Sequence, residues 1–489
     1  MKRKVCLLLA ILFVFVGISV ACVDNTETPD VKESSKVTDV VPRDDRLNPD
    51  LEILDLDGYC FSVFGSGVNE GGDWNVHDLL SEENLTSGDV IDESIYRRNT
   101  FLEDTYNFSF ALNEATARFC FDEAYAYLMG GEDIFDAYAL NGHTGSLLSA
   151  EGLFLDLKEQ PYLDLSKDYW APTLIAPLTI NGRLFTAIGD ISVVYKEGVQ
   201  AFYFNKTIAT DKQLPDIYEL VRNKQWTYEK LFELAEMGTE DLNGDQKFDA
   251  NDCYGIQGQN FLAMVLFQGS GESVIAKDSD DKFVIGCGSN RAVNVIQKIT
   301  DLLHDNSQDI YKTSWQEMLV RFENQKALFY TECMLHIKTM RGFEVDFGII
   351  PTPMYDEDQT GYHHYVNAGE MYLYSLPYSA TDPERSAYVL ETTAVASKHY
   401  LTPAFYEISL KSKWTRDEES KEMLDIIFST VRVDPGNIYG VGSLYDFVFS
   451  CMIDNGNIVR VLDALSGRTT LAIDETLEKY ENNYNDVMG

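Results

Sequence analysis

From residue 59 onward, apolar runs of strand length alternate with amphipathic stretches of helix length, and this alternation restricts the chain to an α/β architecture. Tyr59-Cys60-Phe61-Ser62-Val63-Phe64 predicts a strand ended by Gly65-Ser66-Gly67, and Ser94 to Thr105 predicts a helix. Phe108, Phe110 and Leu112 alternate with polar residues, the period of a strand. Ile134-Phe135-Asp136-Ala137-Tyr138-Ala139-Leu140, after Gly130-Gly131, predicts a buried strand. Thr227 is placed to cap a helix from Tyr228 to Met237. Ala292, Val295, Ile296, Ile299, Leu302 and Leu303 fall on one helical face. Phe347-Gly348-Ile349-Ile350 predicts a strand closed by Pro351, and Pro383 opens a helix expected to run to about Ala396. With 489 residues the chain has room for two or three domains and a large core.

The formal net charge is −40, from 39 Lys and Arg against 79 Asp and Glu. Such a balance excludes a nucleic-acid partner, which needs a basic footprint, and gives no attraction to an anionic membrane surface. The N-terminus is an address. Lys2, Arg3 and Lys4 precede the apolar run Val5 to Gly17, and Ser19-Val20-Ala21 supplies small residues before Cys22. That layout resembles a bacterial lipoprotein signal over residues 1–21, although Ser19 stands where such signals usually carry Leu. It predicts diacylglyceryl modification of the Cys22 thiol and attachment to the extracytoplasmic face of the cell membrane through lipid alone; an uncleaved membrane anchor is the alternative. Residues 22–50 are polar and lack aromatics, so a flexible tether is expected there.

Beyond the signal, Cys60, Cys120, Cys253, Cys287, Cys333 and Cys451 are widely spaced and form no C-x-x-C pair. Buried free thiols are expected, with disulfides as the alternative. The segment Asp241 to Asp252 places oxygen ligands at Asp241, Asn243, Asp245, Asp249 and Asp252, with the Lys247 carbonyl between them. It resembles an EF-hand or dockerin-type calcium loop and predicts a structural Ca2+, with Phe248 pointing inward as an anchor. Gln246 replaces the usual glycine and Asp252 the usual glutamate; the alternative is a solvated acidic turn. Signals for catalysis are poor: the sequence has no G-x-S-x-G, H-E-x-x-H, P-loop or Rossmann fingerprint. His363-His364 is expected to be a surface or hinge pair rather than a metal site.

Several stretches carry a family resemblance through their order along the chain. They are Ile95-Tyr96-Arg97-Arg98-Asn99, Gly131-Glu132-Asp133-Ile134-Phe135-Asp136, Asn181-Gly182-Arg183-Leu184-Phe185 and Phe202-Tyr203-Phe204-Asn205-Lys206. Trp226-Thr227-Tyr228, Thr402-Pro403-Ala404-Phe405-Tyr406 and Trp414-Thr415-Arg416-Asp417-Glu418-Glu419-Ser420 extend the pattern. Over about residues 55–485 the chain resembles bacterial extracellular solute-binding proteins of family 1, the sugar-binding lipoproteins of ABC transporters, in their clostridial branch. The resemblance implies a periplasmic-binding-protein-like class II fold, with two α/β lobes joined by hinge crossings. Lobe 1 would hold 51–188 and return at 346–397; lobe 2 would hold 189–345 and 398–489.

It further implies a monomer without chemistry of its own, which captures a carbohydrate, most simply an oligosaccharide, by closing the lobes on it and is then read by a transporter permease; a peptide or other polar small solute is the alternative ligand. Aromatic rings would stack on sugar CH faces while carboxylates and amides meet hydroxyls. By position, the resemblance nominates Asp73, Trp74, Asn141, His143, Asp190, Gln259, Asn260, Glu370 and Tyr439 as ligand residues. Each has a plainer alternative: Trp74 packed under its loop, Asp190 and Glu370 solvated or in salt bridges, Asn141 and Tyr439 in loops without ligand. Two other function classes stay open. A surface glycoside hydrolase or lyase would need a pair of carboxylates, one with a raised pKa. A calcium-dependent adhesion module would use the loop at Asp241.

Overall fold

The computed structural model describes residues 51–67, 78–81, 90–116, 119–340, 342–410 and 418–488. Asp73, Trp74, Cys22 and the proposed signal and tether lie outside them. Residues Asp45–Gly489 make one compact unit of mixed α/β structure. The strands are β1 (Tyr59–Ser66), β2 (Phe108–Ala115), β3 (Ala137–Asn141), β4 (Gln200–Asn205), β5 (Tyr254–Gly258), β6 (Ile275–Lys277), β7 (Phe283–Ile285), β8 (Ile310–Lys312), β9 (Ala327–Cys333), β10 (Phe347–Ile350), β11 (His364–Tyr365), β12 (Tyr372–Ser375) and β13 (Val431–Arg432).

Two sheets dominate. The first has the order β12-β3-β1-β2, with β1 parallel to β2 and β3 and β12 antiparallel to β3. The second has the order β10-β4-β9-β5-β8, with β5 parallel to β8 and β9, and β4 antiparallel to β9 and β10. Buried strands read as continuous apolar runs because helices cover both faces; all seven residues of β9 are buried. Close packing removes side chains where elements cross: a Cβ on Gly255 of β5 would lie 2.1 Å from the Ala235 carbonyl oxygen of the helix Tyr228–Gly238. Thr227 caps that helix, accepting from the Lys230 N–H at 3.4 Å.

The structure corrects several expectations. Strand β10 pairs with β4 of the second sheet. Gly348 permits this, since a Cβ there would meet Phe204 at 2.2 Å and Tyr218 at 2.4 Å. The helix opened by Pro383 does not end near Ala396 but runs to Leu410. Pro403 removes one internal hydrogen bond, and burial of Leu401, Ala404 and Phe405 against Ile91 and Ile95 offsets it. Of the run from Ile134, only 137 onward enters β3; Ile134 is exposed.

The six described cysteines are free thiols, five buried and Cys60 exposed. His364 is no surface histidine. It is buried in β11, its Nε2 accepts from the Thr352 N–H at 3.1 Å, and its Nδ1 meets Thr430 Oγ1 at 2.8 Å. Burial, then the neighbouring His363, pushes its pKa down to about 3. Among the described residues no helix is long and apolar enough to cross a membrane.

Candidate functional site

A cavity of about 570 Å³ opens beside the second sheet. The sheet topology explains its lining. Gln259 and Asn260 follow the end of β5, Lys312 and Thr313 lie at the end of β8, and Glu332 is the penultimate residue of β9. Because β4 runs antiparallel to β9, its first residue, Gln200, pairs with Cys333 at the same edge. This is the carboxyl edge of the parallel strands, where open α/β sheets form ligand sites. From the other side come Asn367 and Glu370, in the turn that leads into β12. Tyr372 of β12 pairs with Asn141 at the carboxyl end of β3, so this turn lies at the carboxyl edge of the first sheet. Phe261 and Phe449 complete the wall, with ring centroids 6.2 Å apart.

The cavity therefore presents amides, a hydroxyl, an ammonium, two carboxylates and two phenyl rings. Gln259 donates through Nε2 to Glu332 Oε2 at 2.8 Å, and the Cys333 N–H donates to Oε1 at 3.2 Å. The Glu332 side chain is nonetheless buried, and burial raises its carboxyl above the usual range against the pull of those donors. Glu370 is half-buried as a residue, but its Oε2 is shut off from solvent without a hydrogen-bond partner. Burial first, and the Glu332 charge second, push its carboxyl up to about 8, while the Gln200 amide pulls the other way. Gln200 also sits against Glu332, so both carboxyls share this amide.

Of the nominated ligand residues, the cavity brings together Gln259, Asn260 and Glu370. Four others do not line it. Asn141 caps the helix Gly142–Ala150, accepting from the Thr144 N–H at 3.0 Å. His143, the next helical residue but one, is exposed. Asp190 is buried in an ion pair with Lys196 and accepts from Thr402 Oγ1 at 2.9 Å. Burial alone would lower the Lys196 ammonium, but Tyr195 and Asp190 hold it above the lysine range. Tyr439 donates to the Leu178 carbonyl oxygen at 3.1 Å and packs against Phe283 and Tyr480. The sequence reading missed Gln200, Phe261, Lys312, Thr313, Glu332, Asn367 and Phe449. A signal for Gln200 existed: it is a polar residue at the head of the apolar strand run Ala201-Phe202-Tyr203-Phe204.

The acidic loop is closed by its own backbone. Asp241 accepts from the Gly244 and Gln246 N–H groups, both at 2.7 Å, and Asp245 from the Lys247 N–H at 2.8 Å. Buried Asp252 accepts from Leu242 at 3.0 Å and Asp249 at 2.9 Å. Arg321 grips the loop from beneath, donating to the Asp252 carbonyl oxygen at 2.9 Å and to that of Ala250. Gln246 takes a φ of 63°, so the missing glycine is replaced at a steric cost. Phe248 does not point inward: it is 48% exposed, edge-on to Tyr254. Among the described residues no group of three or more His, Cys, Asp or Glu side chains is disposed to hold a metal ion.

No family model matches the chain, and no curated protein is similar to it in sequence. Its fold, by contrast, has many solved counterparts. An ABC substrate-binding protein from Listeria monocytogenes in complex with cycloalternan superposes with a TM-score of 0.51 at 11% identity, covering 88% of this chain and 100% of that one. UspC from Mycobacterium tuberculosis gives a TM-score of 0.55 at 12% identity, over 84% of this chain and 100% of that one. A sugar transporter from Rhizobium etli in an open conformation gives 0.53 at 13% identity, over 88% and 99%. The fold is the periplasmic-binding-protein-like one. Identities this low speak to architecture alone.

Proposed function

We propose that this protein is the extracytoplasmic solute-binding component of an ABC importer, and that it captures a carbohydrate, most simply an oligosaccharide, in the cavity between the two sheets. The observation that carries this reading is the cavity itself: hydrogen-bonding side chains from the carboxyl edges of both sheets face two phenyl rings across about 570 Å³. Hydroxyl-rich solutes with apolar CH faces need that combination. The neighbouring structures bound to cycloalternan and to maltotetraose support it. In this reading Cys22 carries the lipid anchor, residues 22–50 tether the body, closure is a hinge motion of two lobes, the protein acts as a monomer, and a permease receives the solute unaltered. The acidic loop holds a structural calcium ion, on the strength of its sequence pattern.

A thermal-shift screen over neutral and charged mono- and oligosaccharides tests the reading. A ligand that binds only the native form raises the Tm in a concentration-dependent way, and no response to any carbohydrate would overturn it. One observation favours a second reading. Glu332 and Glu370 are a carboxyl pair with Glu370 raised to about 8, the kind of acid a glycoside hydrolase employs. Incubation with oligosaccharides separates the two: sustained release of reducing ends, abolished in Glu370→Gln, would establish the hydrolase, and intact sugar supports transport.

A further inference from the structure

The inner wall of the cavity carries two acids and no base to match them. Glu332 comes from β9 and Glu370 from the turn before β12, and the Glu332 charge is felt at Glu370. Among the described residues neither forms an ion pair. Lys312 lines the cavity as well, but it is exposed and bonds to neither carboxylate. The other titratable groups facing the pair are Tyr203 of β4, Tyr330 and Cys333 of β9, Tyr365 of β11 and Tyr445 of the helix Leu444–Ile453. Burial raises all five, so they stay uncharged at neutral pH. Glu197, close to Cys333, is spoken for by Lys338. Glu370 Oε2, finally, is buried with no donor at all.

We propose, resting on the solute-binding reading, that the cavity selects a solute bearing a cationic nitrogen, an amino sugar in its ammonium form, which seats between Glu332 and Glu370. Two buried carboxylates that face each other without a counter-ion repel, and one holds a proton. An ammonium supplies the missing charge and three donors, for which Glu370 Oε2 and the remaining carboxylate lone pairs are the acceptors. The proton held by Glu370 leaves to solvent as the ammonium enters, so the net charge of the group is unchanged by exchange of one for the other. A metal cation fits less well. Calcium asks for six to eight oxygens, whereas one oxygen of Glu332 already serves Gln259 and the other the Cys333 N–H.

Calorimetric titration of the full protein at about pH 6, where amino sugars carry their charge, tests this with glucosamine oligosaccharides of two to four units against cello-oligosaccharides of equal length. The amino series is expected to bind at least about tenfold tighter. Repetition in buffers of different ionisation enthalpy is expected to show about one proton released per ammonium bound. In Glu370→Gln both the preference for the amino series and the proton release are expected to vanish. Far-ultraviolet circular dichroism and Tm verify that this variant folds; Glu332→Gln serves as an independent second variant. Equal or weaker binding of the amino series, no binding of either series, or no proton release overturns the inference. If neutral sugars bind and amino sugars gain nothing, the inference falls and the solute-binding reading stands; if no carbohydrate of any class binds, both fall.

Discussion

Gln259 Nε2 donates a 2.8 Å hydrogen bond to Glu332 Oε2, joining the residue after β5 to the end of β9 across the mouth of the cavity. The bond holds a buried carboxylate by an exposed amide, so the two partners have unequal tasks. Gln259→Ala removes one side-chain donor from Glu332 and a polar contact from the cavity. It is expected to weaken carbohydrate binding by about tenfold to a hundredfold, the size of a lost hydrogen bond to a charged group. Since Gln259 is exposed, its Tm is expected to stay within about two degrees of the wild type. Calorimetry with the sugar found in the screen, beside a melting curve, checks both; unchanged affinity would remove Gln259 from the site.

The alternation of strand and helix periods, the cap at Thr227 and the apolar face of the helix Asn290–Asp305 were legible because each is a local consequence of sequence. The site was legible only where the chain announces a strand end by a polar residue in a loop, as at Gln259 and Asn260. Glu332 was hidden within Ala327-Leu328-Phe329-Tyr330-Thr331-Glu332-Cys333, which reads as core, and only strand order brings it beside Glu370. Asp190 and Tyr439 show the converse. Their positions suggested a cleft, yet a nearby lysine and a backbone carbonyl claim them. The C-terminal helix Ile458–Met488 was also missed, because it is anchored through distant contacts such as Tyr480 to the Ser146 carbonyl oxygen at 2.7 Å.

Glu370 should make stability fall with pH. Its folded pKa of about 8 lies above the value of 4.5 of an unperturbed glutamate. The folded chain therefore holds the proton more tightly than the unfolded chain. That contribution is complete below about pH 4.5 and is lost as pH rises through about 8. Glu370→Gln, which cannot ionise, is expected to match the wild type near pH 4.5 and to gain a few degrees in Tm by about pH 8.5. A Tm difference independent of pH would refute the raised pKa.

Asp434 is a clamp. Its carboxylate accepts from the Val274, Ile275 and Gly436 N–H groups at 2.6, 3.2 and 2.7 Å, and from Gln268 Nε2 at 3.3 Å. Burial still pushes it up to about 6 against these donors. Asp434→Ala leaves four buried donors unmet, at a cost on the order of 3 kcal/mol. Asp434→Asn, which retains one acceptor, is expected to lose less. Urea denaturation monitored by tryptophan fluorescence measures both, and equal stability of all three proteins would show the clamp to be idle.

The acidic loop offers the last test. Arg321 already fastens it through the carbonyl oxygens of Ala250 and Asp252, and the oxygens of Asp241, Asp245 and Asp252 already accept backbone N–H groups. Each carboxylate oxygen keeps a second lone pair, so a calcium ion can enter only by drawing those oxygens together around it. After chelation and dialysis, millimolar Ca2+ is expected to raise the Tm by a few degrees, through preferential binding to the native state. Asp245→Ala should abolish the increment without touching carbohydrate affinity, because no residue of the loop lines the cavity. A calcium-independent Tm would mean that Arg321 alone staples the loop. In that case Arg321→Met, which removes the donors to the Ala250 and Asp252 carbonyl oxygens but preserves most of the buried stem, is expected to lower the Tm at every calcium concentration.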